Sequence, residues 1–133
     1  MDETISGLRL LTSLDFVRLT RVAGLRRQPE LESLLSDAEV VDSRQVAPDV
    51  VTMYAQVEIE AVDTGRRQTL VVCYPADADP ARGHISVLSP VGLALLGLQA
   101  GAIARWQGPG GDPSAAAVTA ILFQPEASGD YVT

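Results

Sequence analysis

The spacing of hydrophobic residues changes period at Pro48, and this change constrains the fold more than any other feature of the chain. Before it, Phe16, Leu19 and Ala23, and then Leu31, Leu34, Leu35, Ala38 and Val41, recur at helical intervals. After it, Val51, Met53, Ala55, Val57, Ile59 and Ala61 alternate with Thr52, Tyr54, Gln56, Glu58 and Glu60. That is the period of a strand with one face buried, and it places Tyr54 on the polar side. Helices followed by strands define an α+β chain. The expected division is a helical part over residues 1–47 and a sheet-bearing part over residues 48–133.

Local signals place the elements. Thr12 followed by Asp15 forms a weak capping box ahead of a helix from Leu14 to Ala23. Gly24 to Gln28 breaks the pattern, and Pro29 suits the first position of a second helix. Glu30 and Glu32 then fall in its positively polarised first turn. Two short helices on a five-residue loop make an antiparallel hairpin. In the second part, Leu70 to Tyr74 reads as a central strand and Pro75 to Gly83 as a polar loop. Ile85 and Val87 form a strand that runs into Ser89, a good helix N-cap, and Pro90, a good first helical residue. Gly97 ends that helix. Ala102 to Trp106 and Ala116 to Phe123 complete a set of about five antiparallel strands with one short helix.

Charge and composition exclude several function classes. A formal net charge of −7 opposes strong direct binding of nucleic acid, which needs a basic face. No apolar run reaches the roughly 18 residues of a membrane span. The acidic start Met1-Asp2-Glu3-Thr4 does not read as a signal peptide. The single cysteine, Cys73, sits in an apolar run and reads as core, which fits a cytoplasmic protein. His84 has no second histidine or cysteine positioned to complete a zinc site. Gly108-Pro109-Gly110-Gly111 is a turn, because no Lys-Ser/Thr follows it as in a phosphate loop. No metal, cofactor or catalytic residue is expected, and the chain is expected to be a monomer.

Four blocks in the second part are similar to a known family. They are Pro48-Asp49-Val50-Val51-Thr52-Met53, Val72-Cys73-Tyr74-Pro75-Ala76, Ile85 to Gly97, and Gln124-Pro125-Glu126-Ala127-Ser128-Gly129-Asp130-Tyr131. Trp106 with Pro109-Gly110-Gly111 adds a weaker fifth. Together they resemble the C-terminal domain of bacterial Gre-type transcription elongation factors, and most closely the related regulator of nucleoside diphosphate kinase family. The resemblance implies an FK506-binding-protein-like sheet and helix. It also implies RNA polymerase as partner, with docking beside the secondary channel. Ser89, Pro90 and Val91 match the Gre positions that grip the channel rim. The same three residues also read simply as an N-cap, its usual proline and a core valine.

In Gre factors a long coiled coil carries an acidic pair into the channel to hold catalytic Mg²⁺. Here, helices of roughly 10 and 13 residues span only roughly 15–20 Å. The tip Gly24-Leu25-Arg26-Arg27-Gln28-Pro29 presents arginines, which repel Mg²⁺. Glu30 and Glu32, two apart on a helix, do not face one another. The expected protein therefore docks without transcript cleavage and competes with Gre-type factors. Arg26, Arg27 and Glu30 are the candidate site residues at the hairpin tip, the arginines as contacts or a solvated turn and Glu30 as a contact or an acid that stabilises the helix start. Asp77 and Asp79, in the polar loop, are candidate contacts to basic groups or acidic loop residues that aid solubility. Direct action on nucleoside diphosphate kinase is an alternative. A prolyl isomerase is suggested by fold analogy only, and the 5% aromatic content opposes an aromatic-lined pocket.

Overall fold

The computed structural model describes residues 9–26 and 28–130. The helical stripes of the first half fold into a hairpin of α1 (Ser13–Arg26) and α2 (Pro29–Asp37). They contain 14 and 9 residues, so the first is longer and the second shorter than their hydrophobic patterns suggest. At α1, the Thr12 hydroxyl accepts the Asp15 N–H at 3.0 Å, as the capping pattern requires. The helix then runs through Gly24, since one exposed glycine costs about 1 kcal/mol in a helix without having to end it. At α2, the chain leaves the helix after Asp37, and β2 (Glu39–Val41) pairs in parallel with β1 (Leu10–Thr12). Val40 and Val41 are β-branched and join a strand more readily than a helix end. Val41 therefore belongs to a strand rather than to the helical stripe.

The second half forms a five-stranded sheet from β3 (Gln56–Ala61), β4 (Arg67–Cys73), β5 (His84–Ser86), β6 (Ile103–Gln107) and β7 (Pro113–Phe123). Their order is β5-β4-β3-β7-β6. The β3–β4, β3–β7 and β6–β7 pairs are antiparallel, but β4 and β5 are parallel, so the sheet is mixed rather than wholly antiparallel. The cause lies in the loop between them. Pro75–Asp77 and Pro80–Arg82 each wind one 3₁₀ turn. These carry the chain back along β4 before β5 begins, with Val71 opposite His84.

The long period-two run is also divided. Only Gln56–Ala61 joins the sheet as β3. Upstream, the Val51 N–H donates to the Leu98 carbonyl and the Gly97 N–H donates to the Val51 carbonyl, both at 2.8 Å. Tyr54 then turns the chain with φ at 67°, in the left-handed region. It does not stand on the polar face of a continuous strand. Alternation alone cannot distinguish a paired strand from an extended segment followed by a turn.

One hydrophobic core spans both halves. Leu11, Leu19 and Leu31 from the hairpin region cluster with Val57, Val72, Leu95, Leu96 and Val118, and all eight are fully buried. The third helix, α3 (Pro90–Leu95), is held at its C-terminal end by Arg9. One guanidinium nitrogen, Nη1, donates to the Leu93 and Leu96 carbonyls at 2.8 Å each, satisfying acceptors that a helix end leaves open. Burial lowers the Arg9 pKa from its ordinary value.

A candidate docking surface at the Ser89–Pro90 corner

The corner between β5 and α3 ties itself together. Ser86 Oγ accepts the Leu88 N–H at 3.0 Å. Ser89 Oγ donates to the Ser86 carbonyl at 2.7 Å and accepts the Gly92 N–H at 3.1 Å. Ser89 is thus an N-cap, and Pro90 follows at the first helical position, as read from the sequence. Gly92 permits the close approach, since a Cβ there would lie 2.2 Å from the Ser86 carbonyl oxygen. The result is a rigid turn with Pro90 exposed and Ser89 and Val91 half-buried.

Pro90 and Val91 line different clefts. Pro90 lines one of about 630 Å³ between α2, α3 and β6, together with Glu30, Leu34, Leu93 and Trp106. Val91 lines the other, about 800 Å³, on the sheet face with Ile59, Leu70, Ile85 and Trp106. Glu30 from the hairpin is therefore brought to the same cleft as the Ser89–Pro90 corner. Trp106 and Arg105 border both clefts, and the sequence reading gave neither a binding role. The signal available for them was the large aromatic beside a charged residue on an edge strand.

Asp77 and Asp79 line neither cleft. The Asp77 carboxylate accepts the Tyr54 hydroxyl hydrogen bond. Burial and then Asp77 push the Tyr54 pKa up to about 12. The Tyr54 and Tyr74 rings stand 5.7 Å apart, tilted by 51°. The backbone of Asp79 bridges that of His84, with its N–H donating to the His84 carbonyl at 2.8 Å. Arg27 and the side chain of Arg26 lie outside the described residues.

A buried polar group joins the hairpin, the linker and the tail. Asp15 is 1% exposed, and its Oδ2 accepts the Met53 N–H at 3.1 Å. Burial raises its pKa to about 6; the Met53 hydrogen bond opposes this, and Glu126 adds to it. The Thr52 hydroxyl donates to Glu126 Oε1 at 2.7 Å. Gln124 Nε2 donates to the Ala47 and Val50 carbonyls at 2.8 and 2.9 Å. Within the tail block, Gln124 and Glu126 thus have a packing role, closing over the segment that follows the hairpin, and Tyr131 lies outside the described residues. Cys73 is buried, as its apolar surroundings in sequence suggest. Among the described residues no group of three or more His, Cys, Asp or Glu is placed to hold a metal ion. No helix among them is long and apolar enough to cross a membrane.

A helical hairpin packed on a five-stranded mixed sheet, with a short helix set at the sheet's end by a Ser-Pro corner, defines a Gre-like architecture. The family model described as "Transcription elongation factor, GreA/GreB, C-term" matches residues 45–123, more than half of the chain, and the chain belongs to that family. It is 36% identical over 110 residues to the "Regulator of nucleoside diphosphate kinase" of Escherichia coli strain K12, covering 83% of this chain and 81% of that protein. It is 42% identical over 71 residues to "Transcription elongation factor GreA" of Desulfovibrio desulfuricans, covering 53% of this chain but 44% of that protein. Among solved structures, it resembles "Prokaryotic transcription elongation factor GreA/GreB from Nitrosomonas europaea" with a TM-score of 0.73 and 34% identity, over 86% of this chain and 98% of that one. GreA factor homolog 1 of Thermus thermophilus shares the fold, with a TM-score of 0.51 at 22% identity over 86% of this chain and 99% of that one.

Proposed function

We propose that this protein binds RNA polymerase at the secondary-channel entrance and competes there with Gre-type factors without cleaving the transcript. The observation that carries the reading is the Ser89–Pro90 corner. It is rigid, exposes Pro90, and lies in the part of the chain that matches the family. Ser89, Pro90 and Val91 form the primary contact, with Asp77 and Asp79 as secondary contacts on the loop before β5. The hairpin supports the absence of cleavage. At 1.5 Å per residue, α1 rises only about 20 Å, too short to carry its tip deep into a channel while the sheet remains outside. The residues that begin α2, Pro29 and Glu30, stay close enough to the sheet for Glu30 to share a cleft with Pro90.

Native-gel titration of core polymerase with the purified protein tests this. Binding at micromolar concentration or tighter, displacement of a Gre factor, and no shortening of backtracked transcripts are expected. No shift, or transcript cleavage, overturns the proposal. A second reading, direct action on nucleoside diphosphate kinase, is favoured by the name of the relative that is 36% identical. A change in kinase activity on mixing the two purified proteins, with no polymerase present, would support it.

A further inference from the structure

Among the described residues, Tyr54 is the one non-glycine with positive φ, at 67°. It takes the third place of a four-residue turn, closed where the Ala55 N–H donates to the Thr52 carbonyl at 3.0 Å. With positive φ, that place suits glycine or asparagine, because a larger side chain crowds its own backbone there. A tyrosine stays in it only where the surroundings hold it. The backbone is pinned on both sides. The Met53 N–H donates to Asp15 of α1 at 3.1 Å, and the Tyr54 N–H donates to the Val72 carbonyl of β4 at 2.7 Å. The side chain then leads to the loop before β5. Its ring packs against Tyr74, and its hydroxyl donates to Asp77 Oδ2. Asp77 is exposed, so this hydrogen bond contributes little to stability. The strained backbone is thus matched to a contact whose main effect is to fix a surface carboxylate.

We infer that Tyr54 is a positioning residue, held left-handed so that its hydroxyl aims the Asp77 carboxylate at a basic side chain of the docking partner. Among the described residues the second oxygen, Oδ1, takes no hydrogen bond or ion pair. An exposed carboxylate with one oxygen already fixed offers the other to an arginine or lysine. Fixing it beforehand reduces the freedom lost on binding. Asp77 also stands on the same frame as the Ser89–Pro90 corner. Its own N–H donates to the Tyr74 carbonyl at 2.9 Å, and the neighbouring Cys73 carbonyl accepts the Val87 N–H at 2.8 Å, just before the corner. The inference rests on the polymerase-docking reading and adds the residue that sets one of its contacts.

The test measures core-polymerase affinity for the wild type, P90A, Y54F, Y54N, D77A and Y54F/D77A at two salt concentrations, with folding of each verified by circular dichroism and melting. Y54F keeps the ring and loses only the hydroxyl. Y54N suits the left-handed turn but lacks both side-chain contacts, so it separates the shape of the turn from the aim of Asp77. The expected result is a several-fold loss of affinity for Y54F, Y54N and D77A at low salt. The D77A loss should shrink at high salt. The double variant should bind no more weakly than D77A alone, because hydroxyl and carboxylate act through one contact. Wild-type affinity in folded Y54F, Y54N or D77A overturns the inference. So does a D77A loss that salt does not reduce, or losses by Y54F and D77A that add in the double variant. In each case, wild-type binding that weakens in P90A leaves the docking reading intact. Absence of wild-type binding overturns both.

Discussion

Asp15 in α1 accepts the backbone N–H of Met53 at 3.1 Å, so a carboxylate buried to 1% exposure links the hairpin to the segment that leads into the sheet. Its pKa stands at about 6, above the ordinary 3.8, chiefly because burial disfavours the charge. The fold therefore binds the proton more tightly than the unfolded chain does. This contribution to stability is fully present below pH 3.8 and is lost as pH rises through 6. Its size is at most about 3 kcal/mol, from about 1.4 kcal/mol per pKa unit. Urea unfolding between pH 7.5 and 5 should show a gain in stability on acidification that Asp15→Asn reduces. Parallel profiles for the two proteins would refute the assignment.

Gly92→Ala should be among the most damaging single-methyl additions. The new Cβ meets the Ser86 carbonyl oxygen at 2.2 Å, and that oxygen is held in place by Ser89. Overpacking of this kind costs about 1–3 kcal/mol. Ser89→Ala, which removes only the cap, should cost about 1 kcal/mol. Thermal melts that rank the two the other way would show that α3 shifts freely away from β5.

Gln124→Ala should destabilise the protein by about 2–3 kcal/mol, since it removes the donor to the Ala47 and Val50 carbonyls and leaves a buried one unsatisfied. Denaturant titration measures this directly. A loss below 0.5 kcal/mol, an order-of-magnitude threshold set by a single weak hydrogen bond, would mean that water replaces the amide.

Tyr54→Phe keeps the ring against Tyr74 and loses only the hydrogen bond to Asp77, which is exposed. The stability change should stay within about 1 kcal/mol. If polymerase affinity changes at constant stability, Asp77 acts through its orientation by Tyr54. Equal affinity for the two proteins removes that coupling.

Where local spacing decides conformation, the sequence was legible. Leu31 and Leu35, at the start of the second helical stripe, and the alternation of Val57 with Ile59 bury the side chains that their periods indicate. Ser89 and Pro90 cap α3 as their residue types require. Non-local pairing was not legible. The short strands β1 and β2 depend on each other across 29 positions, with Leu10 opposite Glu39, and neither carries a strand period of its own. The parallel β4–β5 pair depends on two 3₁₀ turns in a loop that reads only as polar. Tyr54 has no glycine or asparagine signature for positive φ; its side-chain contacts with Asp77 and Tyr74 accompany the conformation. Of the candidate contacts, Pro90 and Glu30 meet at one cleft because the core is continuous across Pro48. Asp77 and Asp79 lie outside both clefts because the loop is drawn toward Tyr54 and His84.

Trp106 is the chain's one tryptophan, and it borders both clefts. Indole emission from this protein consequently originates at a single point, where the hairpin, the short helix and the edge strand meet. Separation of the hairpin from the sheet or the filling of either cleft would change the polarity around that one ring. The fold thus carries its own optical reporter at the boundary where its two halves must cooperate, and no added dye is needed to read it.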